Sequence, residues 1–294
     1  MRSFDGLTRQ CIVDGRCSAP SRVAHLVSER LTSDEVRTRK AARFPVITAY
    51  DAPLARAAEA AGIDVLLVGD SLGMVVLGYA STADVTLADM ERHTAAVVRG
   101  STRAHVIADL PFGTYEQSDA DALHAARVLV AVGAGSVKLE GGTALAPRIR
   151  AIVDAGIPVC AHIGVLPQTA ANTGGFRLKR DRDALLANAA AVRAAGAYAV
   201  VLEMVEDGIA SEITAALDIP TIGIGSGPAT DGQVLVVHDV LGLYPSSPPF
   251  AKRYADLASE AQTALAAYAR DVRDGAFPVA RSGASLVANP YARP

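Results

Sequence analysis

Residues 65–78 read VLLVGDSLGMVVLG, an aliphatic run that stops on an acid, with one glycine just before it and another three places after. A buried strand needs no carboxylate at its end, and a surface turn needs little apolar sequence around it. The same unit recurs from residue 44 onward: a short run rich in Val, Ile and Leu, a helical stretch, a Gly or Pro, and another run. The runs are FPVITAY (44–50), VLLVGD (65–70), HVIADLP (105–111), SVKLEG (136–141), PVCAHIG (158–164), AVVLEM (199–204) and PTIGIG (220–225), with a weaker eighth, QVLVVHD, at 233–239. Ala-rich helical segments such as 118–132 and 185–195 lie between them, and several end in Ala-Gly (61–62, 155–156, 195–196). Glycine there is the expected C-cap, since it turns left-handed without a Cβ penalty.

Strands without polar alternation are covered on both faces, as in a parallel sheet. Seven or eight such units fit either a (β/α)8 barrel or a doubly wound open sheet. The repeat count and the missing dinucleotide fingerprint favour the α/β class with a (β/α)8 TIM barrel. No linker divides this region, so one domain is expected over 35–278. Before it stands an extension, 1–34, read as poorly ordered, with a helix around 32–41 leading into the core. After it comes an irregular tail, 279–294.

The bulk numbers exclude several function classes. Of 294 residues, 50% are hydrophobic and 20% charged, which is ordinary for a globular protein, and the net charge is −3. No basic excess drives binding to nucleic acid or to an anionic membrane. Aromatic residues make up only 5% of the chain and are not interleaved with basic clusters, against nucleic-acid recognition. No apolar run approaches the roughly 18 residues of a membrane span. Residues 1–20 mix Arg2, Asp5, Arg9 and Asp14 with small residues, so no secretory h-region forms, and those acids count against a transit peptide. Cys11, Cys17 and Cys160 are odd in number and form no CxxC pair, as suits free thiols in a cytoplasmic protein.

Polar residues stand at nearly every run's end. Asp51 follows the first, Asp70 closes the second, and Asp109 falls near the end of the third. Lys138 and Glu140 close the fourth, His162 sits late in the fifth, and Glu203 ends the sixth. A single strand-terminal acid is more often a helix N-cap. In a barrel, however, all these ends converge on the face where active sites are built. Crowded carboxylates raise one another's pKa unless a cation compensates, which suggests a metal. Asp70, Asp109 and Glu140 offer hard oxygen ligands, favouring Mg2+ or Mn2+ over zinc. Lys138 lies two residues before Glu140 and so on the same strand face, where it suits a substrate carboxylate or phosphate; the alternative is a salt bridge within the acid cluster. His162 is a site residue or a satisfied core histidine with equal claim. GIGSG (223–227) is either a backbone anion cradle or a tight turn. His93, His105, His124 and His238 are read as structural or surface residues. No GxSxG, HExxH or Walker A string is present.

Longer strings narrow the reading. ITAYDAPLA (47–55), LLVGDSLGMVVLGY (66–79), HTAAVVRG (93–100), ADLPFGTY (108–115), VKLEGG (137–142), PVCAHIGVLPQ (158–168), VLEMV (201–205), IGIGSGPATDGQVLVVHDVLGL (222–243) and PPFAKRYADL (248–257) occur in this order. Together they closely resemble the ketopantoate hydroxymethyltransferase family over about residues 35–278. The resemblance implies a barrel of the phosphoenolpyruvate/pyruvate type. It also implies transfer of a one-carbon unit from 5,10-methylenetetrahydrofolate to 3-methyl-2-oxobutanoate through a Mg-stabilised enolate, on the way to pantothenate. Carried onto this chain, the metal acids are Asp70, Asp109 and Glu140. Asp70, Ser71, Asp109 and Lys138 hold the oxo-acid, with His162 in a matching segment, and Glu203 is the proton acceptor. A cytoplasmic homo-oligomer, a decamer, is implied as well. One loop departs: GYASTADVT (78–86) stands where the family usually reads GYDSTLPVT, so Ala80, Ala83 and Asp84 differ.

Overall fold

Alternation within each apolar run settles which side chains enter the barrel. The computed structural model describes residues 30–170 and 175–279, so the readings of residues 1–29 and of the tail beyond 279 lie outside the described residues. Eight strands run in sequence order: β1 (Phe44–Thr48), β2 (Val65–Val68), β3 (His105–Asp109), β4 (Ser136–Glu140), β5 (Val159–Gly164), β6 (Ala199–Glu203), β7 (Thr221–Ile224) and β8 (Gly232–Leu235). Each pairs in parallel with the next, and β8 returns to β1, so the barrel is closed.

Leu66 and Val68 of β2, Val106 and Ala108 of β3, and Val137 and Leu139 of β4 pack outward against the helices. Val46, Leu67, Ile107, Cys160, Val201, Ile222 and Val234 pack together inside. Because side chains alternate along a strand, the positions two residues beyond this inner layer also face the axis. Those positions include Thr48, Asp109, His162 and Glu203. Lys138 and Glu140 belong to the same inward set on β4. The rim chemistry is therefore the last inward layer of the barrel.

The floor of the barrel is polar at one point. His105 Nε2 lies 2.8 Å from Ser136 Oγ and 3.2 Å from Tyr198 OH, while its Nδ1 meets the Leu31 carbonyl at 3.0 Å. Burial pushes the His105 pKa down to about 4, so the ring is neutral there, as the structural reading expected. Residues 30–34 are tied to the barrel: Leu31 N–H donates to Arg103 O, and the helix Ser33–Arg37 opens with a capping box from Thr32 and Glu35. That helix is shorter than the expected 32–41. The eighth run also divides: β8 ends at Leu235, and the helix Val237–Leu241 begins where Val237 N–H donates to Thr48 Oγ1. Gly62, Gly156 and Gly196 take the left-handed C-cap positions. No helix of the described residues is long and apolar enough to cross a membrane.

Candidate active site

Strand register sets the site before any side chain is considered. Asp109 of β3 is the register partner of Lys138 of β4, Glu140 partners His162 of β5, and Gly164 partners Glu203 of β6. All the predicted site residues line one cavity of about 620 Å³ at the C-terminal end of the barrel. Asp70, Asp109, Lys138, Glu140 and His162 are buried, and Ser71 and Glu203 are partly so.

Lys138 Nζ pairs with Asp109 Oδ1 at 3.0 Å and lies 3.3 Å from His162 Nδ1. Burial disfavours the ammonium, yet the carboxylates of Asp109, Glu140 and Asp70 hold the Lys138 pKa above its ordinary value. His162 is held well below its ordinary value by burial and by Lys138, so its ring is neutral. An ammonium can only donate, so Nδ1 accepts from Lys138 and the ring proton sits on Nε2. Glu203 Oε2 lies 3.4 Å from that nitrogen, which has no hydrogen-bond partner among the described residues. The imidazole thus stands between lysine and glutamate.

Four acids meet this single ammonium on the cavity floor. Burial, then the nearby Asp109, pushes the Asp70 carboxyl up to about 7, and burial pushes Glu203 to about 7 against the pull of Lys138. Burial raises Glu140 well above the carboxylate range, with Asp70 adding to it, and burial raises Asp109 despite Lys138. Excess negative charge in a cavity calls for a cation, and oxygen donors suit a hard divalent one. Among the described residues, however, no three His, Cys, Asp or Glu side chains are gathered into a metal centre. Mg2+ does not need one, because it commonly takes one or two carboxylates and completes its octahedron with water and substrate. Asp70, Asp109 and Glu140 supply carboxylate oxygens for such an ion, with Asp109 Oδ1 shared with Lys138.

Two residues without a predicted role hold those acids. Gln168 donates from Nε2 to Asp70 Oδ2 at 2.7 Å and to Leu110 O at 2.9 Å, while its backbone N–H donates to Glu140 Oε2 at 3.1 Å. Tyr115 OH donates to Gln168 Oε1 and receives the Glu140 backbone N–H at 3.3 Å. Both lie inside quoted strings, ADLPFGTY and PVCAHIGVLPQ, but neither carries a charge or a metal-ligand pattern that would single it out.

Backbone geometry fixes the rest. A Cβ on Gly69 would stand 2.9 Å from Ser71 Oγ, and Ser71 Oγ shares a 2.8 Å hydrogen bond with Tyr50 OH. Gly164, at φ +105°, comes so close to Glu203 that a Cβ would lie 2.2 Å from its carbonyl oxygen. Met204, at φ +47°, is left-handed directly after Glu203, and its N–H donates to Ile224 O at 2.8 Å. In GIGSG, Gly225 and Gly227 are left-handed (φ +62° and +72°), and Ser226 Oγ accepts from Val205 N–H and donates to Leu202 O. His93 Nδ1 meets Tyr50 O at 2.6 Å and His238 stacks near Tyr50, both structural roles. In the divergent loop only Thr82 lines the cavity; Ala80 and Asp84 are exposed and Ala83 is half-buried away from it.

The barrel is similar to a phosphoenolpyruvate phosphomutase from Streptomyces platensis subsp. rosaceus (TM-score 0.58, 20% identity, 83% of this chain and 88% of that one). It is similar also to a phosphonopyruvate hydrolase solved with oxalate and Mg2+ (TM-score 0.56, 15% identity, 83% and 88% covered). At such identities these likenesses carry the fold alone. A curated 3-methyl-2-oxobutanoate hydroxymethyltransferase from Hyperthermus butylicus is 53% identical over 250 residues, covering 83% of this chain and 87% of the relative. The family model described as ketopantoate hydroxymethyltransferase matches residues 30–280. With the whole rim constellation in place on the barrel, the chain belongs to the ketopantoate hydroxymethyltransferase family.

Proposed function

We propose that this protein moves a hydroxymethyl group from 5,10-methylenetetrahydrofolate to 3-methyl-2-oxobutanoate, giving 2-dehydropantoate and tetrahydrofolate. The observation that carries the reading is Glu203: a partly buried carboxyl on the cavity wall with its pKa raised to about 7, a base poised near neutrality. Bound by Asp70, Asp109 and Glu140, Mg2+ would supply an electrophile for the keto oxygen and so stabilise enolate charge. The chain's own residues do the remainder. Lys138 and Ser71 orient the carboxylate end of the oxo-acid, presetting the geometry of attack. Glu203 takes the C3 proton, and the neutral His162 offers Nε2–H toward Glu203, steadying the carboxylate before it reacts. Water opens the methylene bridge, its oxygen staying on the carbon at the formaldehyde level while the two folate nitrogens take its protons. The C3 carbanion then adds to that carbon, and the oxygen takes the proton held by Glu203 to become the hydroxyl of the hydroxymethyl group.

Glu203→Gln tests this directly. In D2O with Mg2+ and no folate, wild-type protein should exchange the C3 hydrogen of 3-methyl-2-oxobutanoate for deuterium. The Gln variant should bind the acid but lose the exchange. Full exchange in the variant would remove Glu203 from the role. A lyase or mutase acting on a related oxo-acid would share the acids without needing folate. Those enzymes often carry a reactive cysteine in a Lys-Lys-Cys-Gly-type loop, a string this sequence lacks. A catalytically dead scaffold is disfavoured by the complete rim set.

A further inference from the structure

The cavity lining has two parts of opposite character. Its floor carries the acids, Lys138 and His162, and a five-carbon oxo-acid is small beside a volume of about 620 Å³. Cavities of that size hold molecules of several rings. The rest of the lining is largely apolar, with Phe176, Leu178, Met204, Pro248, Pro249 and Phe250 in it. The Phe250 ring lies against Gly225, where a Cβ would come within 2.9 Å of it, so the glycine lets the ring settle flat on the β7 turn. Phe176 and Phe250 remain 56% and 38% exposed, a large apolar cost for side chains with nothing to cover.

One acid interrupts this apolar lining. Asp239, in the first turn of the helix Val237–Leu241, is the one carboxylate among the described residues lining the cavity that stands outside the floor cluster. The chemistry proposed above gives it no task. It is half-buried and enters no ion pair within 4 Å among the described residues. Burial pushes its pKa up, with the Ser247 hydroxyl and then Arg253 pulling back.

We infer that Asp239 and the apolar walls beside it form the subsite for the reduced pterin of the one-carbon donor, with the Asp239 carboxylate accepting from the ring's 2-amino group and its N3–H. The inference rests on the reading of the floor as a hydroxymethyl-transfer site. An aminopyrimidinone edge presents two parallel N–H donors, and a carboxylate presents two acceptors at matching spacing, as it does to a guanidinium. Met74, Val75 and Phe250 line the same cavity as the acids and supply apolar surface for the flat ring. Such a site recognises the donor by one charge-assisted pair and by area, and leaves oxo-acid binding to the floor.

Asp239→Asn tests the inference, because the amide turns one acceptor into a donor facing another donor. Tetrahydrofolate binding is measured by titration calorimetry on wild-type and variant protein, alongside folate-independent C3 deuterium exchange. Loss of a charge-assisted pair should weaken tetrahydrofolate roughly tenfold or more and raise KM for the donor by a like factor, while exchange continues. A tetrahydrofolate analogue lacking the 2-amino group should bind wild-type protein more weakly than tetrahydrofolate does, yet bind Asp239→Asn almost equally to it, because the two changes remove one contact. Unchanged tetrahydrofolate affinity in the variant overturns the inference, as does an analogue penalty of equal size in both proteins. Loss of exchange along with affinity also overturns it, by placing Asp239 in the floor or in the fold. Wild-type protein that exchanges C3 but never turns over the donor would instead refute the transfer reading.

Discussion

At the scale of single residues, the acids at the strand ends were legible because charge at the end of a buried run needs a reason. Gln168 was not, since a neutral amide after a Pro looks like any loop residue. Removing it tests what it holds. Gln168→Leu strips Asp70 Oδ2, Leu110 O and Tyr115 OH of a partner while keeping the backbone bond to Glu140. We expect a loss of about 1–3 kcal/mol in urea unfolding, from buried groups left unpaired. Mg2+ affinity should fall with it, because Asp70 loses its fixed orientation. The pH profile is set by Glu203. A base works unprotonated, so folate-independent exchange should climb with pH and level off once Glu203 is ionised. With its pKa raised to about 7, the inflection stands near 7, or lower with Mg2+ bound, since a nearby cation favours the carboxylate. A rate flat from pH 5 to 8 would remove Glu203 as the group being titrated.

At the scale of elements, hydrophobic periodicity gave all eight strands, since each is a compact Val-, Ile- and Leu-rich run. It overran the last, where VVHD leaves the sheet for a helix: Val237 N–H finds Thr48 Oγ1 rather than a neighbouring strand, a tertiary contact that periodicity does not register. The junction of β5 and β6 shows how an element end aims a catalytic group. Gly164→Ala must both adopt φ +105° and displace the Glu203 carbonyl, so it should cost roughly 2–4 kcal/mol and depress exchange severely. Gly156→Ala, at φ +81° with nothing within 4 Å, should cost about 1–2 kcal/mol and leave exchange intact. Equal activity losses in the two would mean that Glu203 is not aimed by the close approach at Gly164.

For the whole molecule, the barrel class was readable from repeat count, yet the excess of acids over cations became a quantity only once the strands closed. Carboxyls whose pKa is raised on folding stabilise the folded form while protonated. That contribution is present below the unfolded value near 4 and is lost as pH rises toward about 7 for Asp70 and Glu203. The buried neutral His105 and His162 act oppositely, costing stability below about 6.5, so the bare pH curve mixes both effects. The Mg2+-induced rise in Tm separates them. Protons on Asp70 and Glu140 compete with the metal, so the rise should be larger at pH 8 than at pH 6, read by calorimetry at fixed Mg2+. An equal rise at both would place the cation elsewhere. The register pairs Asp109–Lys138, Glu140–His162 and Gly164–Glu203 carry a kinetic consequence. The site residues on β3 to β6 are laddered strand to strand, and a closed sheet has no edge from which to fray. The catalytic rim therefore has no local opening mode of its own. Its backbone amides should be among the slowest of the described residues to take up deuterium from solvent, so that motion on the timescale of turnover falls to the loops at the mouth.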